Sequence, residues 1–106
     1  MGIQANLILN LTAPDDVSMT QDAQRYTRLG AVIYPDPDKS YSLGSGVATL
    51  QLSADGTNFV ASSKTFSASD AGEFAFDITG VHSIRFKTTT ADGAADPSAN
   101  ISVYLQ

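Results

Sequence analysis

The sequence predicts an all-β protein, a single antiparallel β-sandwich or small jelly roll of about seven strands, and three observations predict it. The alphabet is one of strands and turns, with 10 Thr, 12 Ser, 6 Val and 6 Ile against one Glu and three Lys in 106 residues. β-Branched side chains lose χ1 freedom in a helix and suit a pleated surface, while Ser and Asp compete for backbone hydrogen bonds in turns. Apolar residues alternate with polar ones over several short stretches, the period of a half-buried strand. Eight Gly and four Pro punctuate the chain at short intervals, and no helical insert of the kind a βαβ unit needs lies between the stretches.

Ile3, Ala5, Leu7, Leu9 and Leu11 share one parity with Gln4, Asn6 and Asn10 between them, which makes 3–11 the first strand. Ile8 breaks the alternation and calls for cover on the opposite face, as a neighbouring subunit would give. Pro14, Asp15 and Asp16 end the strand. Residues 12–28 read as an extended arm or loop, polar and aperiodic around Met19 and Tyr26. Residues 29–34 (LGAVIY) form the next strand, stopped by Pro35-Asp36-Pro37-Asp38, where two prolines remove two donors. Residues 41–45 suit a short edge segment.

VATLQLS at 47–53 and NFVASSKTF at 58–66 flank Ala54-Asp55-Gly56-Thr57, a turn in which Gly56 is free to take positive φ. This is a β-hairpin. A second turn, SASDAG at 67–72, leads to a strand with Phe74, Phe76 and Ile78 on one face. In VHSIRFKT (81–88), His82, Ile84, Phe86 and Thr88 share one parity and Ser83, Arg85 and Lys87 the other, which gives a basic outer face. A loop over 89–98 precedes a terminal strand carrying Ile101, Val103 and Leu105. Residues 1–106 thus read as one domain.

Charge and composition exclude several kinds of function. Six basic against eleven acidic residues, a net charge of −5, cannot build a phosphate-tracking stripe, so neither nucleic acid nor an anionic membrane is an expected partner. With no cysteine there is no disulfide, thiolate metal site or thiol nucleophile. No apolar run approaches a membrane span. The N-terminus has no basic leader, which points to synthesis in the cytoplasm.

The candidates for chemistry are few. A hydrolase needs a nucleophile, a base and an orienting acid, and the sole imidazole is His82, beside Ser83 in no nucleophile-elbow setting. Most of the aspartates sit beside Gly or Pro and read as turn caps. Asp36 with Asp38, or Asp92 with Asp96, supply few of the about six to eight oxygens that calcium takes. No Gly-rich phosphate loop is present, and no cofactor is expected. The chain reads as a non-enzyme. Arg85 and Lys87, with Lys64 or Arg28 beside them, are candidates for electrostatic docking onto an acidic partner. Arg25 and Tyr26 in the polar segment join them as partner-binding candidates. Tyr26, Tyr34, Tyr41 and Phe59 near strand ends suit either a subunit interface or a sugar platform.

Three features carry a family resemblance over residues 47–106. They are the hairpin Ser53-Ala54-Asp55-Gly56-Thr57-Asn58-Phe59, the strand Val81-His82-Ser83-Ile84-Arg85-Phe86 entered from Gly80, and the Gly/Ala/Asp/Pro-rich loop before a strand at the chain end. In these the chain resembles small β-sandwich virion proteins of tailed bacteriophages, especially capsid decoration (cement) and related head proteins. The resemblance implies a structural role without catalysis. Copies, as homo-oligomers, would bind the major capsid protein or another virion protein and bridge its lattice. The alternative is a carbohydrate-binding sandwich module for host-surface attachment, which would gather two or three exposed Tyr or Phe on one sheet or at one loop end.

Overall fold

Eight strands lie among the described residues of the structure, a computed structural model describing residues 2–35, 46–67, 72–93 and 97–106. They are β1 (Ile3–Asn10), β2 (Gln21–Asp22), β3 (Arg28–Pro35), β4 (Val47–Ser53), β5 (Val60–Ser67), β6 (Gly72–Asp77), β7 (Ser83–Thr90) and β8 (Ser98–Leu105). One sheet has the order β1-β8-β3-β6 and the other β2-β7-β4-β5, every pairing antiparallel. The pairs β4–β5, β3–β6, β2–β7 and β1–β8 are nested: the chain is one long hairpin with its tip at β4–β5. Wrapping that hairpin brings β8 beside β3 and β7 beside β4, which is the jelly-roll form of a β-sandwich.

The strand that the sequence does not announce is β2, two residues long and polar. Nothing in its pattern alternates; the bare edge of β7 creates it. Residues 12–28 run along that edge. The Asp15 N–H donates to the Thr88 carbonyl (2.9 Å), the Thr88 N–H to Asp16 (2.8 Å), the Ser18 N–H to Phe86 (2.8 Å) and the Ala23 N–H to His82 (2.8 Å). The Ser18 hydroxyl accepts the Phe86 N–H at 2.9 Å, a side chain standing in for the ladder.

Alternation then fills the core. Leu7, Leu9 and Leu11, Leu29, Leu50, Ile84 and Phe86, and Ile101, Val103 and Leu105 are all buried between the sheets. β6 ends at Asp77, one residue short of Ile78, which is still fully buried. Thr88 faces the same interior and satisfies its hydroxyl on the Asn10 carbonyl at 2.7 Å. The hairpin read at 47–66 is present, with its register shifted by a bulge between Thr49 and Gln51. The edge segment at 41–45, Asp36-Pro37-Asp38 and the centre of the SASDAG turn lie outside the described residues.

Candidate interaction surface

The turn joining β4 to β5 is fixed by one carboxylate and one hydroxyl. Asp55 Oδ1 accepts the N–H groups of Thr57 and Asn58, both at 2.8 Å, and its Oδ2 accepts the Asn58 amide at 2.8 Å. The Ser53 hydroxyl accepts the Gly56 N–H at 2.8 Å and donates to Asp55 at 3.0 Å. These donors, led by the Asn58 and Thr57 backbone, hold the Asp55 carboxyl well below the ordinary carboxylate range. Asp77 is lowered in the same way by the Thr79 backbone N–H and hydroxyl, and Asp22 by the Gln24 N–H. A depressed folded-state value contributes stability that is present above the unfolded carboxylate value, about 3.9, and is lost as pH falls below it. Acid should therefore lower the urea midpoint, and Asp55→Asn, which keeps an acceptor but not the charge, should flatten that acid limb. Identical pH slopes for the two proteins would contradict this.

His82 lies just before β7 and half-buried, its ring over Gly56 and its Nδ1 2.6 Å from the Ser83 hydroxyl. Ser83 is 3% exposed, so its hydroxyl is closed to a substrate. The pair locks the turn onto β7. Asp92 is also buried and accepts the Gly46 N–H at 2.9 Å, while Asp36, Asp38 and Asp96 lie outside the described residues. Among the described residues, no three His, Asp or Glu side chains converge as a metal site would need, and no helix is long and apolar enough to cross a membrane.

The five partner-binding candidates fall in two places. Arg85 and Lys87 project from the outer face of the β2-β7-β4-β5 sheet, as parity requires, and both are engaged there. Arg85 Nε donates to Gln51 Oε1 at 2.7 Å, and the guanidinium lies 4.1 Å from the centre of the Phe59 ring. Lys87 Nζ is 2.8 Å from Asp15 Oδ1, an exposed pair worth about 0–1 kcal/mol. Arg25 and Tyr26 border a hollow of about 350 Å³ with Ile3, Gln21 and Asp22. Arg28 opens β3 on the outer face of the other sheet, opposite Asp77, and so does not extend the Arg85–Lys87 face.

That other face has a different character. On the outside of β1-β8-β3-β6, Ile8, Val32 and Tyr104 are each 46% exposed. Gly30 and Ala75, opposite each other on β3 and β6, leave a trough of about 590 Å³ beside Tyr104. Gln4, Asn6 and Ser102 add uncharged polar groups, Gln4 Nε2 donating to Asn6 Oδ1 and Ser102 Oγ, both at 2.9 Å. Tyr104 and Val32 are not among the partner-binding candidates read from sequence, although parity signals both: Val103 and Leu105 point inward, so Tyr104 points out. Of the aromatic candidates, Tyr26 packs against the core, Phe59 lies under Arg85, and Tyr41 lies outside the described residues. Tyr34 is in β3.

Known structures share this fold. SPBc2 prophage-derived protein YomS superimposes with a TM-score of 0.62 at 10% identity, over 97% of this chain and 94% of that one. PBSX exported protein XepA gives 0.63 at 8% identity over 96% of this chain, which spans only 38% of XepA. The Triatoma virus empty capsid gives 0.58 at 6% identity over 100% of this chain and 87% of that one. Carbohydrate binding is represented more distantly by the xylan-binding module CBM86 of Roseburia intestinalis, at 0.52 and 10% identity over 100% of this chain and 85% of that one. At these identities the likeness is one of fold. No family model and no curated protein sequence matches the chain.

Proposed function

We propose that this chain is a non-enzymatic virion protein that decorates or cements a phage capsid by binding the major capsid protein lattice. One observation carries the reading: the outer face of β1-β8-β3-β6 is an uncharged centre of Ile8, Val32 and Tyr104 with Arg28 and Asp77 at its margin. An apolar, aromatic centre with a charged rim is the composition of a protein-binding patch. The fold shared end to end with a prophage-derived protein and a viral capsid protein supports the same reading. Of the basic and aromatic candidates, Arg28 lies on that face, while Arg25 and Tyr26 border the separate hollow with Ile3, Gln21 and Asp22. Arg85 and Lys87 already hold intramolecular partners, which favours the face of Val32 and Tyr104 for docking. Repetition over a lattice turns a modest single-site affinity into avidity.

Purified virions should carry an 11.1 kDa band at a fixed ratio to the major capsid protein, and Val32→Asp with Tyr104→Asp should remove it while leaving the protein folded. Virions without the band would overturn the proposal. The second reading, a glycan-binding module, is favoured by Tyr104 standing beside an open trough. It expects glycan-array signal that Tyr104→Ala abolishes.

A further inference from the structure

Each sheet of the sandwich has two edges, and three of the four carry devices that discourage pairing with another chain. β2 is two residues long; β5 carries Lys64 in its bulged stretch; β6 carries Glu73 and Asp77. Short length, bulges and charge are the usual protections of an exposed edge. β1 has none of them. It is eight residues long, IQANLILN, with no charge, proline or glycine and an unbroken register to β8. The uncharged run extends from residue 1 to residue 14 of a chain carrying −5 overall.

The hydrogen bonds fix which groups of β1 face the open edge. The Leu11 N–H donates to Pro97 at 3.0 Å, so Leu11 and the odd-numbered residues before it turn their backbone groups toward β8. Even-numbered residues turn theirs away, as the Asn10 carbonyl does in accepting Thr88 Oγ1. The Asn10 carbonyl is thereby satisfied from within the sandwich. Gln4, Asn6 and Ile8 present N–H and C=O groups outward, with no strand on that side among the described residues.

We infer that β1 pairs antiparallel with β1 of a second copy, joining the two sheets across a two-fold axis. The three outward residues are self-complementary about Asn6. Asn6 faces Asn6 of the partner subunit, and Gln4 faces Ile8 of the partner subunit, each a hydrogen-bonded pair, giving about six backbone hydrogen bonds. A second copy is the occupant that the self-complementary register favours, and the neutral run is the part of a −5 chain that meets its own copy with the least repulsion. The pairing also sets Gln4 of the partner subunit beside Ile8, the residue that breaks the alternation of β1. This inference concerns how copies associate and stands whether or not the capsid reading holds.

Sedimentation equilibrium of the full chain tests it. The wild type should sediment at twice its 11.1 kDa mass. Asn6→Pro should be a folded monomer, since the lost N–H serves no bond to β8. If proline unfolds the chain, the pair Asn6→Lys and Ile8→Lys supplies the same readout through charge. Asn6→Cys, the single thiol in the protein, should cross-link on mild oxidation, because hydrogen-bonded antiparallel partners sit about 5.5 Å apart at Cα, within disulfide range. Ala61→Cys, exposed on β5, is the control and should dimerise through β1 without cross-linking. A monomeric wild type, a folded Asn6→Pro that still dimerises, or equal cross-linking at both thiols would overturn the inference.

Discussion

Phe86→Ala is expected to destabilise the protein by about 3–5 kcal/mol, the cost of emptying a fully buried aromatic site. Phe86 is fully buried and pairs with Leu50 across the β7–β4 ladder. Its backbone also holds the strap of residues 12–28, through Ser18 on both its N–H and its C=O. The side chain thus fills the interior while the main chain anchors the strand's edge. For a domain of this size the loss corresponds to a fall in Tm of roughly 15 °C. Phe86→Leu should recover a large part of it. A thermal melt in which Phe86→Ala lies within a few degrees of wild type would contradict the placement of β7 at the centre of the core.

Gly56→Ala is expected to cost at least about 1–2 kcal/mol from the backbone alone, since Gly56 sits at φ +83°, a left-handed conformation disfavoured by any Cβ. The new Cβ would also stand 2.7 Å from Cε1 of His82, closer than atoms pack, and crowding of that kind adds about 1–3 kcal/mol. The two contributions separate in a double-mutant cycle. With His82→Ala in place the overlap disappears and the φ penalty stays, so Gly56→Ala should cost less in that background. Equal costs in both backgrounds, measured by urea denaturation, would show that the ring is not over the turn.

The fold was legible wherever one face of a strand is buried. β1, β4, β7 and β8 alternate because their inward residues, Leu7, Leu50, Phe86 and Val103 among them, meet the opposite sheet, and DGTN marks its turn by chemistry local to four residues. β2 was not legible, because two polar residues become a strand only when an edge is offered to them. The same holds for the strap at 12–28, whose order comes from β7 and not from its own sequence. Among the site candidates, Arg85 and Lys87 were placed on the correct face by parity, but parity is silent about what lies beside them. Gln51, Phe59 and Asp15 come from β4, the hairpin and the strap. Charge alone groups Arg28 with them, but sheet order puts it on the opposite side of the sandwich. Parity turns Tyr104 and Val32 outward, but only the assembled sheet shows that they share a face with Ile8.

Electron microscopy of capsids assembled with and without this protein shows whether it binds the lattice. Added density of one β-sandwich per binding position is expected at regular places on the capsid lattice, lost when Val32 and Tyr104 are both replaced by aspartate. Capsid reconstructions that are indistinguishable with and without the protein would contradict it.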